Sequence, residues 1–148
     1  MKQAVITRRG DGESLSILGT RARFLCTVEQ TGKAWSLMEV VLPKHAGAPP
    51  HAHPWDEAYY VVAGDVKFMV DGEEHLVGAG EFLYAPADML HAFEGYSDEA
   101  ARVIIFDAPA HAAGFFREVD AQVKTMPDDL GKMLDIGGRH QVRFVQPR

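Results

Sequence analysis

Short apolar or alternating runs, broken repeatedly by Gly, Asp and Pro, fill the chain from Arg21 to Phe106. Runs of this kind between turn residues predict strands, here Arg21–Glu29, Trp35–Leu42, Glu57–Ala63, Asp65–Val70, Glu74–Val77, Glu81–Ala85, His91–Phe93 and Arg102–Phe106. Asp65–Val70 alternates plainly: Val66, Phe68 and Val70 share one face and Lys67 and Met69 the other, as in a strand with one face on a core. Asp71-Gly72 then supplies two residues that tolerate the positive φ of a tight hairpin. Strands in succession with no helix between them predict an all-β sandwich or barrel.

The pattern changes after Phe106. Gly114–Val119 predicts a helical turn or two. Pro127-Asp128-Asp129 opens a second helix, because acids in a first turn are favoured by the helix dipole. Leu130, Met133 and Leu134 form its apolar stripe, Gly137-Gly138 stops it, and Val142–Val145 predicts a last short strand. With Phe115 and Phe116 this segment is too apolar for a free tail, so packing on the barrel's outer surface is expected. The expected organisation is one domain over residues 1–148, with a barrel core at about 21–107 and a C-terminal appendage at about 114–148.

The composition of the 148 residues, 47% hydrophobic and 24% charged, is that of a globular protein. No run approaches the ~18 apolar residues of a membrane span, and Met1–Gly10 lacks an apolar signal-peptide core, so a cytoplasmic location is the default expectation. A net charge of −6 with scattered Lys and Arg argues against nucleic acid as a partner. Cys26 is the only cysteine, which excludes an intrachain disulfide and a cysteine-rich zinc site. In its apolar surroundings it reads as a small buried hydrophobe.

The histidines carry the chemistry. His51 and His53 stand at i and i+2, a spacing that points both imidazoles to one face of a strand. Glu57 follows at an even offset beyond Pro54-Trp55, and His91 sits in a separate candidate strand. Three neutral nitrogens and one carboxylate suit a divalent transition metal, with iron, manganese or nickel favoured and zinc, cobalt or copper also fitting. Calcium and magnesium prefer oxygen shells. A His-x-His pair alone is more often two surface histidines than a pair of ligands, and local spacing does not establish a site.

The wider spacing resembles the two motifs of the cupin superfamily. His51-x-His53, Glu57 and Gly64 match the first motif, and Gly80, Pro86 and His91 match the second, all at the family's intervals. His45 stands at the first motif's opening glycine, Asp88 replaces the glycine after Pro86, and Gly95 replaces the terminal asparagine. These departures concern turn geometry. The resemblance is good over about Trp35 to Phe106, and the C-terminal part looks similar to bacterial single-domain cupins described as quercetin-dioxygenase-like. It implies a double-stranded β-helix, a jelly-roll form, with a metal held by His51, His53, Glu57 and His91 inside one open end. It further implies a small-molecule substrate that chelates the metal through oxygen. The activity expected is that of a quercetinase-like dioxygenase. A non-oxidative lyase, isomerase or cyclase, or a binding protein without turnover, remains an alternative.

Glu57 is the candidate base. Tyr59, two residues on, is either an acid–base group or a strand residue lining the interior. Trp55 and Phe93 read equally as a pocket wall or as packing. Met38, Phe68, Met69, Phe82 and Tyr84 read as core, and His45, His75, His111 and His140 as surface. A homodimer is expected, with Ala4–Thr7 available to extend a neighbour's sheet.

Overall fold

The structure, a computed structural model describing residues 2–145, has two antiparallel sheets packed face to face. The first contains β1 (Ser14–Ile17), β2 (Thr20–Cys26), β3 (Ser36–Leu42), β5 (Asp56–Ala63), β8 (Phe82–Ala85) and β10 (Ala101–Ala108), in the order β1-β2-β3-β10-β5-β8. The second contains β4 (Gly47–Ala52), β6 (Asp65–Val70), β7 (Glu73–Gly78), β9 (His91–Gly95) and β11 (Arg143–Phe144), in the order β11-β4-β9-β6-β7. The expected jelly roll is present as two facing sheets rather than a closed barrel.

The core lies between the sheets and follows the period of two. Along β5, Glu57, Tyr59 and Val61 point inward and are buried, while Tyr60 and Val62 are exposed. Along β10, Val103, Ile105 and Asp107 are buried between exposed Arg102 and Phe106. From the second sheet Val66 and Phe68 meet them. Each such side chain contributes roughly 1.5–3 kcal/mol on burial. Asp71 (φ 51°) and Gly72 (φ 84°) form the expected hairpin turn, with Val70 opposite Glu73.

Several expectations need correction. β2 ends at Cys26 because Thr27 and Gln30 satisfy each other's backbone N–H groups across a turn (2.8 and 3.3 Å). Cys26 is only half-buried. β4 contains Pro49-Pro50, which hides it from strand rules; the irregular register between Ala48 and His51 absorbs the missing N–H donors. Phe82 (61% exposed) and Tyr84 (50%) face outward on β8 and are not core. Met69 is half-buried. Ala4–Thr7 forms no strand, and Thr7 instead donates its hydroxyl to Leu25 O.

The C-terminal segment holds α1 (Ala112–Gln122) and α2 (Leu130–Arg139). α1 is longer than expected, and α2 runs through Gly137-Gly138. Gly137 is there for packing: a Cβ at that position would come within 2.8 Å of Val142 O and 3.0 Å of the Phe144 ring. Leu130 is exposed, and Ile136 takes the buried place expected of it, beside Met133. The segment does not lie on the outer surface of a barrel. α1 packs on β1, and β11 pairs with β4, so helix and strand close over one open end. Met1 and residues 146–148 lie outside the described residues.

Candidate metal centre

Register brings the histidines together. β4 and β9 place His51 directly opposite His91, with ring centroids 4.3 Å apart. His53 follows β4 by one residue, its ring 5.4 Å from His51 and 4.9 Å from His91. All three are buried, and one nitrogen from each lies within 4.8 Å of the others, an arrangement able to hold a metal ion. Glu57 enters from β5 in the facing sheet, so the site is assembled between the two sheets.

Hydrogen bonding fixes the orientation of each ring. Nδ1 of His51 meets Pro49 O at 2.8 Å, Nδ1 of His53 meets Trp55 O at 3.0 Å, and Nδ1 of His91 meets Met89 O at 2.9 Å. A carbonyl only accepts, so each Nδ1 carries the proton and each Nε2 presents a bare lone pair. Nε2 of His53 and of His91 are buried with no hydrogen-bond partner. A buried orphaned nitrogen costs about 1–3 kcal/mol unless something binds it. Three imidazoles oriented from behind by carbonyls, lone pairs converging, are the usual preparation for a divalent transition metal. The residues therefore fit such an ion. Burial, with the neighbouring His91, holds the His51 pKa down at about 4. Burial also lowers that of His91. Both rings stay neutral near pH 7, as ligation requires.

Glu57 stands slightly apart. Its Oε1 lies 3.2 Å from His53 Nε2, without hydrogen-bond geometry, and its Oε2 lies 3.9 Å from His91 Nε2. Trp55 Nε1 donates to Oε1 at 3.2 Å, and the Tyr59 hydroxyl donates to Oε2. Burial works to raise the Glu57 pKa, but His53, His91 and the Tyr59 hydroxyl outweigh it and hold the group near 2. Burial, then the Glu57 charge, pushes Tyr59 well above its ordinary value, so its hydroxyl remains a donor. Its ring packs against Phe68 and Phe93 (5.0 and 5.5 Å).

His51, His53 and Glu57 form the floor of a cleft whose non-atom space is about 650 Å³ with open solvent included, of which about 50 Å³ admits the centre of a water molecule. Trp55 and Phe93 both line it, Trp55 stacked on His53 at 4.0 Å. Sequence reasoning missed Ile17 and Leu18, which reach the cleft from the β1 end, and placed Phe115, Phe116 and Phe144 elsewhere. The i, i+2 pair Val142 and Phe144 was the available signal: both line the cleft, Phe144 from β11 and Val142 from the residue before it. Asp88 adopts φ 66°, the left-handed conformation expected where the motif has glycine, and its N–H donates to His53 O at 2.7 Å. Gly95 is required by contact: a Cβ there would sit 2.4 Å from Pro43 O. Asp56 accepts from Ala87 N at 2.8 Å and steadies the turn before His91. His45, His75 and His111 are exposed; His140 is half-buried against Glu118 at 2.9 Å.

Two facing antiparallel sheets with three histidines and a glutamate at one open end define the cupin fold, and residues 38–107 match the family model of the Cupin domain. The chain is 33% identical over 81 residues to the polyketide synthase CurC of Streptomyces cyaneus, covering 54% of this chain and 53% of that protein. It thus spans about half the length of the curated relatives it matches. Among solved structures it is similar to an RmlC-like cupin from Shewanella frigidimarina (TM-score 0.62, 23% identity, 74% of this chain and 96% of that one). It is also similar to the polyketide cyclase RemF from Streptomyces resistomycificus (TM-score 0.61, 23% identity, 74% and 80%). At these identities the structural likenesses establish the fold. No helix among the described residues is long and apolar enough to cross a membrane.

Proposed function

We propose that the chain is a metal-dependent cupin enzyme acting on a small organic substrate that binds through oxygen. The observation that carries this reading is the convergence of three histidine nitrogens, those of His53 and His91 buried without any partner, beside an ionised carboxylate at the floor of an apolar cleft. His51, His53 and His91 would hold one divalent transition metal, with Glu57 as fourth ligand. When bound, the ion supplies Lewis-acid polarisation of substrate oxygens and a place for dioxygen.

Glu57 is the base. Ionised at neutral pH and facing the cleft, it takes the proton from a substrate hydroxyl. Tyr59 acts through it as a positioning residue: its hydroxyl and the Trp55 indole N–H hold the carboxylate in one orientation. The apolar walls exclude water from the electron-rich anion that results.

Reaction of that anion with dioxygen is the quercetinase-like outcome. A second reading is non-oxidative ring closure of a polyketide-like substrate; the relative CurC bears the name of a polyketide synthase. Oxygen uptake by metal-loaded protein given flavonols and 1,3-diketones separates the two. Uptake in proportion to substrate consumed supports the dioxygenase, and product formed anaerobically supports ring closure. Glu57→Gln should abolish either; full activity in that variant would refute Glu57 as base.

A further inference from the structure

The cleft is charge-poor in a directional way. At its floor are His51, His53 and Glu57, with His91 buried behind His51; elsewhere the residues lining it, among those described, are apolar save Thr20. The Thr20 hydroxyl is already committed to Ile17 O. The cations nearest in sequence to the wall are engaged elsewhere. Arg117 forms ion pairs with Glu13 (2.8 Å) and Glu29 (2.6 Å), Arg139 binds Glu118 (3.1 Å), and Arg143 faces Asp88 (3.8 Å). An anionic group on the far side of a ligand would find no counter-charge there, and burying an unpaired charge in apolar surroundings is strongly unfavourable.

The wall that runs outward from His51 is built by the C-terminal segment, outside the 38–107 match. Phe115, Phe116, Val142 and Phe144 supply it. The Phe115 ring lies 5.9 Å from Phe116 and 6.2 Å from Phe144, and Phe144 lies 6.0 Å from His51. Phe144 is seated by pairing with His51 in the β11–β4 ladder and by the absence of a side chain at Gly137. A surface of rings held within van der Waals reach of the floor suits a flat aromatic body better than a flexible polar one.

We propose that the cleft selects a flat, uncharged aromatic ligand, with Phe116, at the outer end of that wall, as the specificity-determining residue that rejects negative charge on the edge remote from the histidines. This deepens the proposed function and rests on its reading of the histidine end as the oxygen-binding end. The ligand's hydroxyls meet the histidine floor, and its hydrocarbon edge meets the phenylalanines.

The test uses two probes with the same oxygen-binding end: naphthalene-2,3-diol and its 6-sulfonate, which adds a fixed negative charge at the far edge. Binding to manganese-loaded protein is followed by fluorescence of Trp55, which lines the cleft, in a Trp35→Phe background; Trp35 sits against Phe106, away from the cleft. The diol should bind at least tenfold more tightly than the sulfonate. Phe116→Arg should close or reverse that gap by strengthening sulfonate binding, and Phe116→Leu should weaken the diol while leaving sulfonate rejection intact. Equal affinities in the unsubstituted protein, or a gap that Phe116→Arg leaves unchanged, overturn the inference and leave the proposed enzyme standing. No binding of the diol overturns it as well. Selective diol binding with neither oxygen uptake nor anaerobic turnover overturns the enzyme and leaves this inference standing. If Phe116→Arg fails to fold, the unsubstituted protein and Phe116→Leu still decide.

Discussion

The motif-bearing strands and the C-terminal segment share one cleft and were written under different constraints. In the first, position is everything: register sets His51 against His91, backbone carbonyls turn three rings, and a facing strand brings Glu57. In the second, bulk and fit decide: Ile136, Met133 and Phe115 are buried, Gly137 makes room, and rings cover the open end. On the proposed reading, one region carries the chemistry and the other decides what reaches it. The same fold can therefore serve different reactions by changing its cover.

The sharpest break between the regions is a crossed pair of substitutions. His53→Ala removes a convergent nitrogen, and metal affinity should fall by more than the roughly 10–100-fold seen when only a supporting partner is lost. Metal content of protein purified without added metal measures it, with His75→Ala as the unchanged control. Ile136→Ala should do the converse, lowering unfolding free energy by about 2–5 kcal/mol through a cavity under the cover while keeping metal content. Denaturant titration of both variants checks the dissociation. If Ile136→Ala also strips the metal, the regions are one cooperative unit and the contrast fails.

A smaller effect lies where the regions join. Asp107, on β10 opposite Glu57, is fully buried; Ser36 donates to it and so does Ala112 N at the start of α1 (3.1 Å). Burial raises its pKa to about 6, above the ordinary 3.8. The folded state then binds more protons than the unfolded one between these values. Its contribution to stability is complete below pH 3.8 and lost as pH rises through 6, by about 3 kcal/mol at 1.36 kcal/mol per unit. His51 has the opposite sign: its depressed value makes metal-free protein lose stability as pH falls from 6.5 to about 4. Asp107→Asn removes the first trend alone. The stability of the variant relative to the unsubstituted metal-free protein should climb from pH 4 to pH 7 by about 3 kcal/mol, and a flat difference would show that the carboxyl ionises normally.

Legibility in the sequence followed the same division. Spacing of His51, His53, Glu57 and His91 pointed to the site because ligands must recur at fixed intervals. Alternation gave β5, β6 and β10 because each has one buried face. β4 escaped because Pro49-Pro50 breaks strand rules, and β1 because Ser14–Ile17 is only four residues long. Phe82 and Tyr84 were misplaced because periodicity tells which residues share a face but not which face is inward. The cover escaped most fully: apolar residues at helical spacing say that a helix packs, and only the tertiary structure says that it packs over a cleft.

That misplaced face gives the last and, for the fold itself, smallest prediction. Phe82 pairs with Tyr60 and Tyr60 with Ile104; one step along the strands, Tyr84 pairs with Ala58 and Ala58 with Phe106. All point away from the core, with Phe82 at 61% and Tyr60 at 47% exposed. A contiguous apolar face on a sheet is a common mark of an interface. We propose that two copies pair through it about a two-fold axis, since an isologous contact needs only one self-complementary patch. Ala4–Thr7, the segment expected to extend a neighbour's sheet, forms no strand, and the pairing is therefore proposed on the outer face instead. Light scattering at tens of micromolar should give twice the chain mass, and Phe82→Glu should give the chain mass alone. Because Phe82 adds little to the core, that variant should retain its metal and, in conditions where both proteins are monomeric, its unfolding free energy to within about 0.5 kcal/mol. A monomer before substitution would refute the pairing, and a dimer that survives Phe82→Glu would move it to another face.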